Sequence, residues 1–257
     1  MSKSFTLYYA PGAASFVPHA VLNHLGLPHT LSLVALADGQ QRTPEYLALN
    51  PKGRVPALVG GSLPAGEVLT ETPAICRYLC AQKPDAGLWP TAPLAEARLM
   101  EWLNYLSGHF HAFAWPLFAR PARFSPDESH YETLGSQARV HLADILALIE
   151  DRLSDGRAFA VPAVGPDAPS KLTPADFYLL LQYRWLFVRL GWPLREKSAA
   201  VDRVGRSAAS PTLGASDAGG RKTGVLAQSS LSLQSFVTKT ASTGAALPRN
   251  GSGPNRR

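Results

Sequence analysis

The chain has 257 residues, 46% of them apolar, with 25 basic and 19 acidic side chains and a net charge of +6. That length holds one large or two modest domains with a substantial core, and the absence of an 18-residue uncharged apolar run argues against a membrane span. The charge is no nucleic-acid footprint: after Lys197 there are eight basic and two acidic residues, and residues 1–197 carry seventeen of each sign.

In chain order, Met1-Ser2-Lys3-Ser4 lacks an apolar leader, so a cytoplasmic protein is expected. Phe5 to Ala10 reads as a buried strand, Ser15 to Leu25 as a helix with Pro18 in its first turn, and Thr30 to Leu36 as a second strand. Pro44 to Leu49 is a short helical turn. Ala57 to Val59 and Glu67 to Leu69 form a hairpin, and Glu71 to Ala81 is a helix carrying Cys76 and Cys80. Four residues apart, these cysteines read as core thiols and not as a redox pair. Lys83 to Pro93, with Pro84, Gly87, Pro90 and Pro93, reads as a linker.

A long helix is expected from Leu94 to about Trp115, with Leu99, Trp102, Leu103, Leu106 and Phe110 on one face. Another runs from Glu128 to Leu153, with Val140, Ile145, Leu148 and Ile149 as its apolar residues. Residues 159–171 connect it to a helix opened by Leu172-Thr173-Pro174-Ala175-Asp176. There Thr173 is the N-cap, Pro174 takes the first position and Asp176 returns a side-chain bond, a structural and not a catalytic use of the carboxylate. After Lys197, sixty residues hold ten Ser, eight Gly and one aromatic, Phe236. Disorder is expected there. The order predicts an α/β domain at 1–84, a linker at 85–93, an all-helical domain at 94–197 and a low-complexity tail at 198–257.

Two segments carry chemistry. In Asn50-Pro51-Lys52-Gly53-Arg54-Val55-Pro56-Ala57-Leu58, Pro56 makes the preceding bond a candidate for cis, and Val55 keeps main-chain groups free to pair with a peptide. In Leu69-Thr70-Glu71-Thr72-Pro73-Ala74-Ile75, a helix start offers N–H groups and a positive dipole end to a carboxylate, while Glu71 suits an ammonium. An extended peptide paired at Val55 with an amino-acid head at Glu71 and Thr72 describes glutathione.

With Leu7-Tyr8-Tyr9-Ala10-Pro11-Gly12, Glu101-Trp102-Leu103-Asn104 and Thr173 to Asp176 added, the chain resembles the cytosolic glutathione transferases, and their bacterial beta class in particular, from about Phe5 to Lys197. The resemblance implies a thioredoxin-like domain followed by a helical one, a homodimer, and conjugation of glutathione, as co-substrate, to a small hydrophobic electrophile. No permanently bound cofactor is expected; no metal is expected either, since His109, His111 and His130 lack a metal-site spacing with carboxylates, and the charge distribution and absence of an apolar span leave no nucleic acid or membrane as partner. Non-catalytic glutathione binding and glutathione-dependent isomerisation or dehalogenation are the alternatives. Near Lys197 the family would continue with an aromatic-containing helix; the departure reads as an unusual extension or a shifted reading frame.

The resemblance also assigns residues. Val55 and Pro56 would hold the cysteinyl unit, Glu71 and Thr72 the γ-glutamyl head, and Lys52 the glycyl carboxylate. Where the beta class has a cysteine after Pro-Gly, this chain has Ala14, which removes any mixed disulfide with glutathione there. Ser15 becomes the candidate thiolate donor, and is equally readable as a plain N-cap. Tyr9 matches the family's early tyrosine or is a core aromatic. His111 matches a histidine brought from the first long helix, with Ala112 where a basic residue is usual, or it is a packing residue. Asn104 would reach the partner subunit's glutathione. Phe110, Phe113, Trp115 and Phe118, or their neighbours, are the candidate electrophile pocket, or else are core aromatics.

Overall fold

A computed structural model describes residues 4–163 and 171–192. The expected tail at 198–257 lies outside the described residues. Four strands form one sheet in the order β2-β1-β3-β4: β1 (Phe5–Tyr9), β2 (His29–Leu33), β3 (Ala57–Gly60) and β4 (Leu69–Thr70). β1 runs parallel to β2, with Leu7 opposite Leu31, and antiparallel to β3, with Leu7 opposite Leu58. The parallel pair needs a crossover, which α1 (Phe16–His24) supplies. α2 (Pro44–Leu49) precedes β3, and α3 (Thr72–Ala81) follows the hairpin. This is a thioredoxin-like domain with a mixed sheet, and a helical domain follows it.

Cys76 and Cys80 lie under the sheet as buried free thiols. Burial pushes the Cys80 thiol up to about 12 and Cys76 well above its ordinary range, so both are inert core residues.

The expected straight helix from Leu94 to Trp115 is instead three pieces. α4 (Pro93–Tyr105) takes the last proline of the expected linker as its first residue. A π-helical segment then covers Leu106–Ala114, and α5 (Trp115–Ala119) follows with Pro116 as its second residue. Pro116 has no N–H to return to the preceding turn, and its ring crowds that turn's carbonyls, so the α ladder cannot run through it. Gln182 donates to the Leu106 carbonyl at 2.8 Å, the point where the register changes. The wider winding shifts the phase of every residue after Leu106.

α6 (Tyr131–Arg152) follows a 3₁₀ turn at Glu128–His130. Its buried face is Ala138, Leu142, Ile145, Leu146 and Ile149; the expected Val140 and Leu148 are instead 55% and 41% exposed. Both lie off the stripe set by Ala138, Leu142, Ile145 and Ile149, at helical spacings of three and four.

α7 (Pro174–Leu190) is buried on nearly every side over its first half, from Pro174 through Gln182. Asp176 accepts from the N–H of Thr173 (2.7 Å), the Thr173 hydroxyl (2.9 Å) and the N–H of Ala160 (2.7 Å), which is the structural role expected of it. α7 packs on α1 of the first domain, so one apolar cluster runs from Phe5 through Leu99 and Leu142 to Leu186. That packing carries the far end of α7 to the edge of the sheet domain.

Candidate functional site

A cleft of about 700 Å³ opens where the carboxyl end of β1, residues 50–56 and the start of α3 face the π segment and α7. One wall is a loop organised by Asn50. Its side-chain amide donates to the Arg54 carbonyl (2.7 Å), its side-chain oxygen accepts from the Lys52 N–H (3.2 Å), and the Tyr46 hydroxyl also donates to the Arg54 carbonyl (2.8 Å). The Val55–Pro56 peptide bond is cis, as the sequence suggested. Among the described residues, neither main-chain group of Val55 has a hydrogen-bond partner, which leaves an open edge for an extended peptide.

Beside this edge, α3 starts without a cap of its own. Glu71 at its N-cap has φ of 71°, the one left-handed non-glycine residue of the described chain, and its side chain makes no capping bond. Pro73 has no N–H, and the Ile75 N–H goes to the Glu71 carbonyl (2.9 Å). The N–H groups of Thr72 and Ala74 have no partner among the described residues. Free N–H groups and the dipole end suit a carboxylate. The strained backbone turns the exposed Glu71 carboxylate over the cleft, where Lys52 Nζ meets it at 2.7 Å and Thr70 Oγ1 at 2.9 Å. Lys52 thus stands at the Glu71 end of the cleft.

Arg42 also lines the cleft. Its guanidinium overhangs Gly53, where an added Cβ would stand 2.8 Å from Arg42 Nη1 and 2.9 Å from the Gln41 carbonyl. Gly53, at φ 58°, is therefore needed both for the turn and for the space.

The floor belongs to the helical domain. His111 Nδ1 shares a hydrogen bond of 2.9 Å with the hydroxyl of the buried Tyr178. Burial, together with the guanidiniums of Arg120, Arg123 and Arg54, pushes the His111 pKa down to about 4, so the ring is neutral at pH 7. Burial also raises the Tyr178 phenol, opposed by a side-chain hydrogen bond with Thr72, and keeps it protonated. Trp185 donates its ring N–H to the Gly12 carbonyl (2.7 Å), stacks on Trp115 (centroids 5.1 Å apart, planes at 15°) and touches the His111 ring.

Of the residues expected from sequence, Lys52, Val55, Pro56, Glu71, Thr72, His111 and Trp115 line this cleft. The others are placed elsewhere. Ser15 is 1% exposed, and its hydroxyl donates to the Ala10 carbonyl (3.2 Å) while accepting from the Ala10 N–H (3.1 Å). It braces the turn after β1 and does not face the cleft; its neighbours Ala13 and Ala14 do. Tyr9 packs against the core near His19, outside the lining. Phe110 is core, Phe113 is exposed against His141, and Phe118 lies between Trp115 and Arg139, so three of the four expected pocket aromatics are elsewhere. The π winding accounts for Phe113, which a straight α-helix would phase differently. Asn104 is exposed and away from the cleft of its own chain. Arg42, Arg120, Arg123, Tyr178 and Trp185 were not singled out from sequence; the nearest signal for the last two was their position on the capped helix α7.

Sequence and structure are both similar to those of known proteins. Residues 15–82 match the model of the family described as "Glutathione S-transferase, N-terminal domain". The chain is 33% identical over 183 residues to glutathione S-transferase GstA of Escherichia coli O157:H7, covering 70% of this chain and 82% of that protein. A glutathione transferase homologue from Sulfitobacter, solved with bound glutathione, superimposes with a TM-score of 0.71 at 28% identity, covering 82% of this chain and 94% of the other. A bacterial beta-class glutathione S-transferase from Sphingomonas chungbukensis gives 0.63 at 30% identity, covering 81% and 95%.

Proposed function

The chain belongs to the glutathione S-transferase family, and we propose that its cleft binds reduced glutathione and delivers the thiolate to a small electrophile with an apolar aromatic face. The observation that carries this reading is the pairing of two unfinished pieces of backbone in one cleft: the open edge at Val55 and the uncapped start of α3. In it, the cysteinyl unit pairs with Val55 beside Pro56, the γ-glutamyl carboxylate takes the N–H groups and hydroxyl at Thr72, and its ammonium takes Glu71. Lys52 then exchanges one of its partners for the γ-glutamyl carboxylate, and Arg42 receives the glycyl carboxylate.

The thiol lies over the turn after β1. No cysteine is present to form a disulfide with it, since Ala14 holds that position. With the Ser15 hydroxyl engaged by Ala10, the groups left to favour the thiolate are the N–H of Ala14 and of Ser15 at the start of α1, which have no main-chain partner among the described residues. Neutral His111 and protonated Tyr178 add polarity without a full charge. The electrophile stacks on Trp115 and Trp185. The thiolate forms the C–S bond as the leaving group departs with its electron pair, and the thiol proton passes to water. A homodimer in the cytoplasm, with Asn104 directed to the partner's cleft, completes the reading.

The engaged hydroxyl of Ser15 favours one second reading, a glutathione-binding protein with weak or no transferase chemistry. Calorimetry with reduced glutathione followed by turnover of 1-chloro-2,4-dinitrobenzene in the same sample separates them. Binding with turnover is expected. Binding alone selects the second reading, and no binding by folded protein sinks both.

A further inference from the structure

Charge in the cleft is unbalanced. Among its described lining residues Glu71 is the only carboxylate, and Lys52 already neutralises it. Against that pair stand Arg42, Arg54, Arg120, Arg123, Arg184 and Arg189, none with an ion-pair partner among the described residues. The excess is local, because residues 1–197 carry equal numbers of basic and acidic side chains.

Four of these guanidiniums feel one another. Partial burial together with Arg120, Arg54 and Arg42 lowers the Arg123 pKa, and Arg120, Arg123 and Arg54 all act on His111. Arginine does not shed its proton to relieve such crowding, so only an anion can. Exposed arginines are usually just solvated. Here like charges close enough to act on one another share a cleft with Trp115, Trp185 and Pro116, and apolar walls of that kind focus a field. In the proposed glutathione pose, Glu71, Thr72 and Arg42 already account for the ammonium and both carboxylates. Arg54, Arg120 and Arg123 are left with no group to meet.

We infer that the second substrate is an anionic aromatic electrophile, its ring on Trp115 and Trp185 and its carboxylate, or an anion of like geometry, between Arg120 and Arg123. This rests on the glutathione reading above. For a chlorinated dinitrobenzoate, the thiolate carbon–sulfur bond forms, the carbon–chlorine bond breaks with its pair leaving as chloride, the thiol proton goes to water, and the benzoate charge is untouched.

The test is calorimetry on the full chain with reduced glutathione and two conjugates differing by one group: S-(2,6-dinitrophenyl)glutathione and S-(4-carboxy-2,6-dinitrophenyl)glutathione. The carboxylated conjugate is expected to bind about ten-fold tighter, and R120Q/R123Q to bring that ratio to about one. Equal affinities in the wild type, or a ratio that survives the double substitution, would overturn the inference. If the variant unfolds, salt decides: the wild-type ratio should fall toward one between about 0.05 and about 0.5 M salt, and a salt-insensitive ratio overturns it. Failure of glutathione itself to bind is a different result, which removes the underlying reading.

Discussion

The same triplet stands at the starts of two helices of this chain, Thr72-Pro73-Ala74 inside α3 and Thr173-Pro174-Ala175 with Thr173 as the N-cap of α7, and the two starts are finished in opposite ways. At α7 the fourth residue is Asp176, which folds back on Thr173 and reaches across to Ala160, so the start is closed and buried. At α3 the fourth residue is the buried Ile75, and the residue before the triplet, Glu71, is held in a left-handed conformation with its carboxylate in the cleft. One start satisfies its own polar groups and supports the fold. The other leaves them open and strained, which is what the proposed glutathione site requires of it.

The widest separation between the two should come from removing each carboxylate. Asp176→Ala strands three buried donors and should cost about 3–5 kcal/mol in urea unfolding. The folded fraction should retain its glutathione affinity, because Asp176 lies outside the cleft lining. Glu71→Ala should do the reverse: glutathione affinity by calorimetry falls about ten-fold or more, with the unfolding midpoint close to wild type. If Asp176→Ala weakened binding in folded protein, or Glu71→Ala unfolded the chain, the division of labour would be false.

Both helix starts were legible in the sequence because each is a contiguous string whose chemistry is local. The same holds for Asn50 to Pro56, whose turn, free valine and proline lie side by side. What could not be read depends on distance in the fold. Tyr178 and Trp185 reach the cleft because α7 packs across α1, and Arg120 and Arg123 because Pro116 breaks the α ladder and shifts the winding ahead of them. Phe113, Val140 and Leu148 were misassigned for a related reason: an apolar residue on a helix says nothing of its face until the helix has a phase and a neighbour. Ser15 failed differently. Its place at the start of α1 was right, but its hydroxyl had a nearer claimant in Ala10.

The titration of the buried groups sharpens the same contrast. His111 and His19 are both held at about 4 by burial, with His29 also acting on His19. In the unfolded chain they take a proton near 6.5 and in the folded one they do not, so their contribution is present above 6.5 and is lost as pH falls toward 4. Asp176, raised to about 6 by burial against its hydrogen bonds, has the opposite sign: folded protein gains stability as pH falls from 6 to about 3.8. Wild type should lose about 1–2 kcal/mol per histidine between pH 6.5 and 5, partly offset by Asp176. His111→Gln should flatten the loss and Asp176→Asn should steepen it, both read from urea midpoints across that range. Parallel slopes in all three proteins would refute the assignment.

The smallest effect tests whether the α3 start is strained or only exposed. Ala and Gly at position 71 both abolish the carboxylate and its half-exposed ion pair with Lys52, so the two variants lose the same polar contacts. They differ in what φ of 71° costs them. Gly takes that conformation freely and Ala does not, so Glu71→Gly should be about 1 kcal/mol more stable than Glu71→Ala. Their glutathione affinities should be equally poor, because the proposed ammonium partner is gone from both. A stability difference without an affinity difference separates the strain that aims Glu71 from the charge that it presents. Equal stability would mean that the backbone at 71 relaxes once the side chain is removed, and that the glutamate is bent into the cleft by Lys52 and Thr70 and not by the fold.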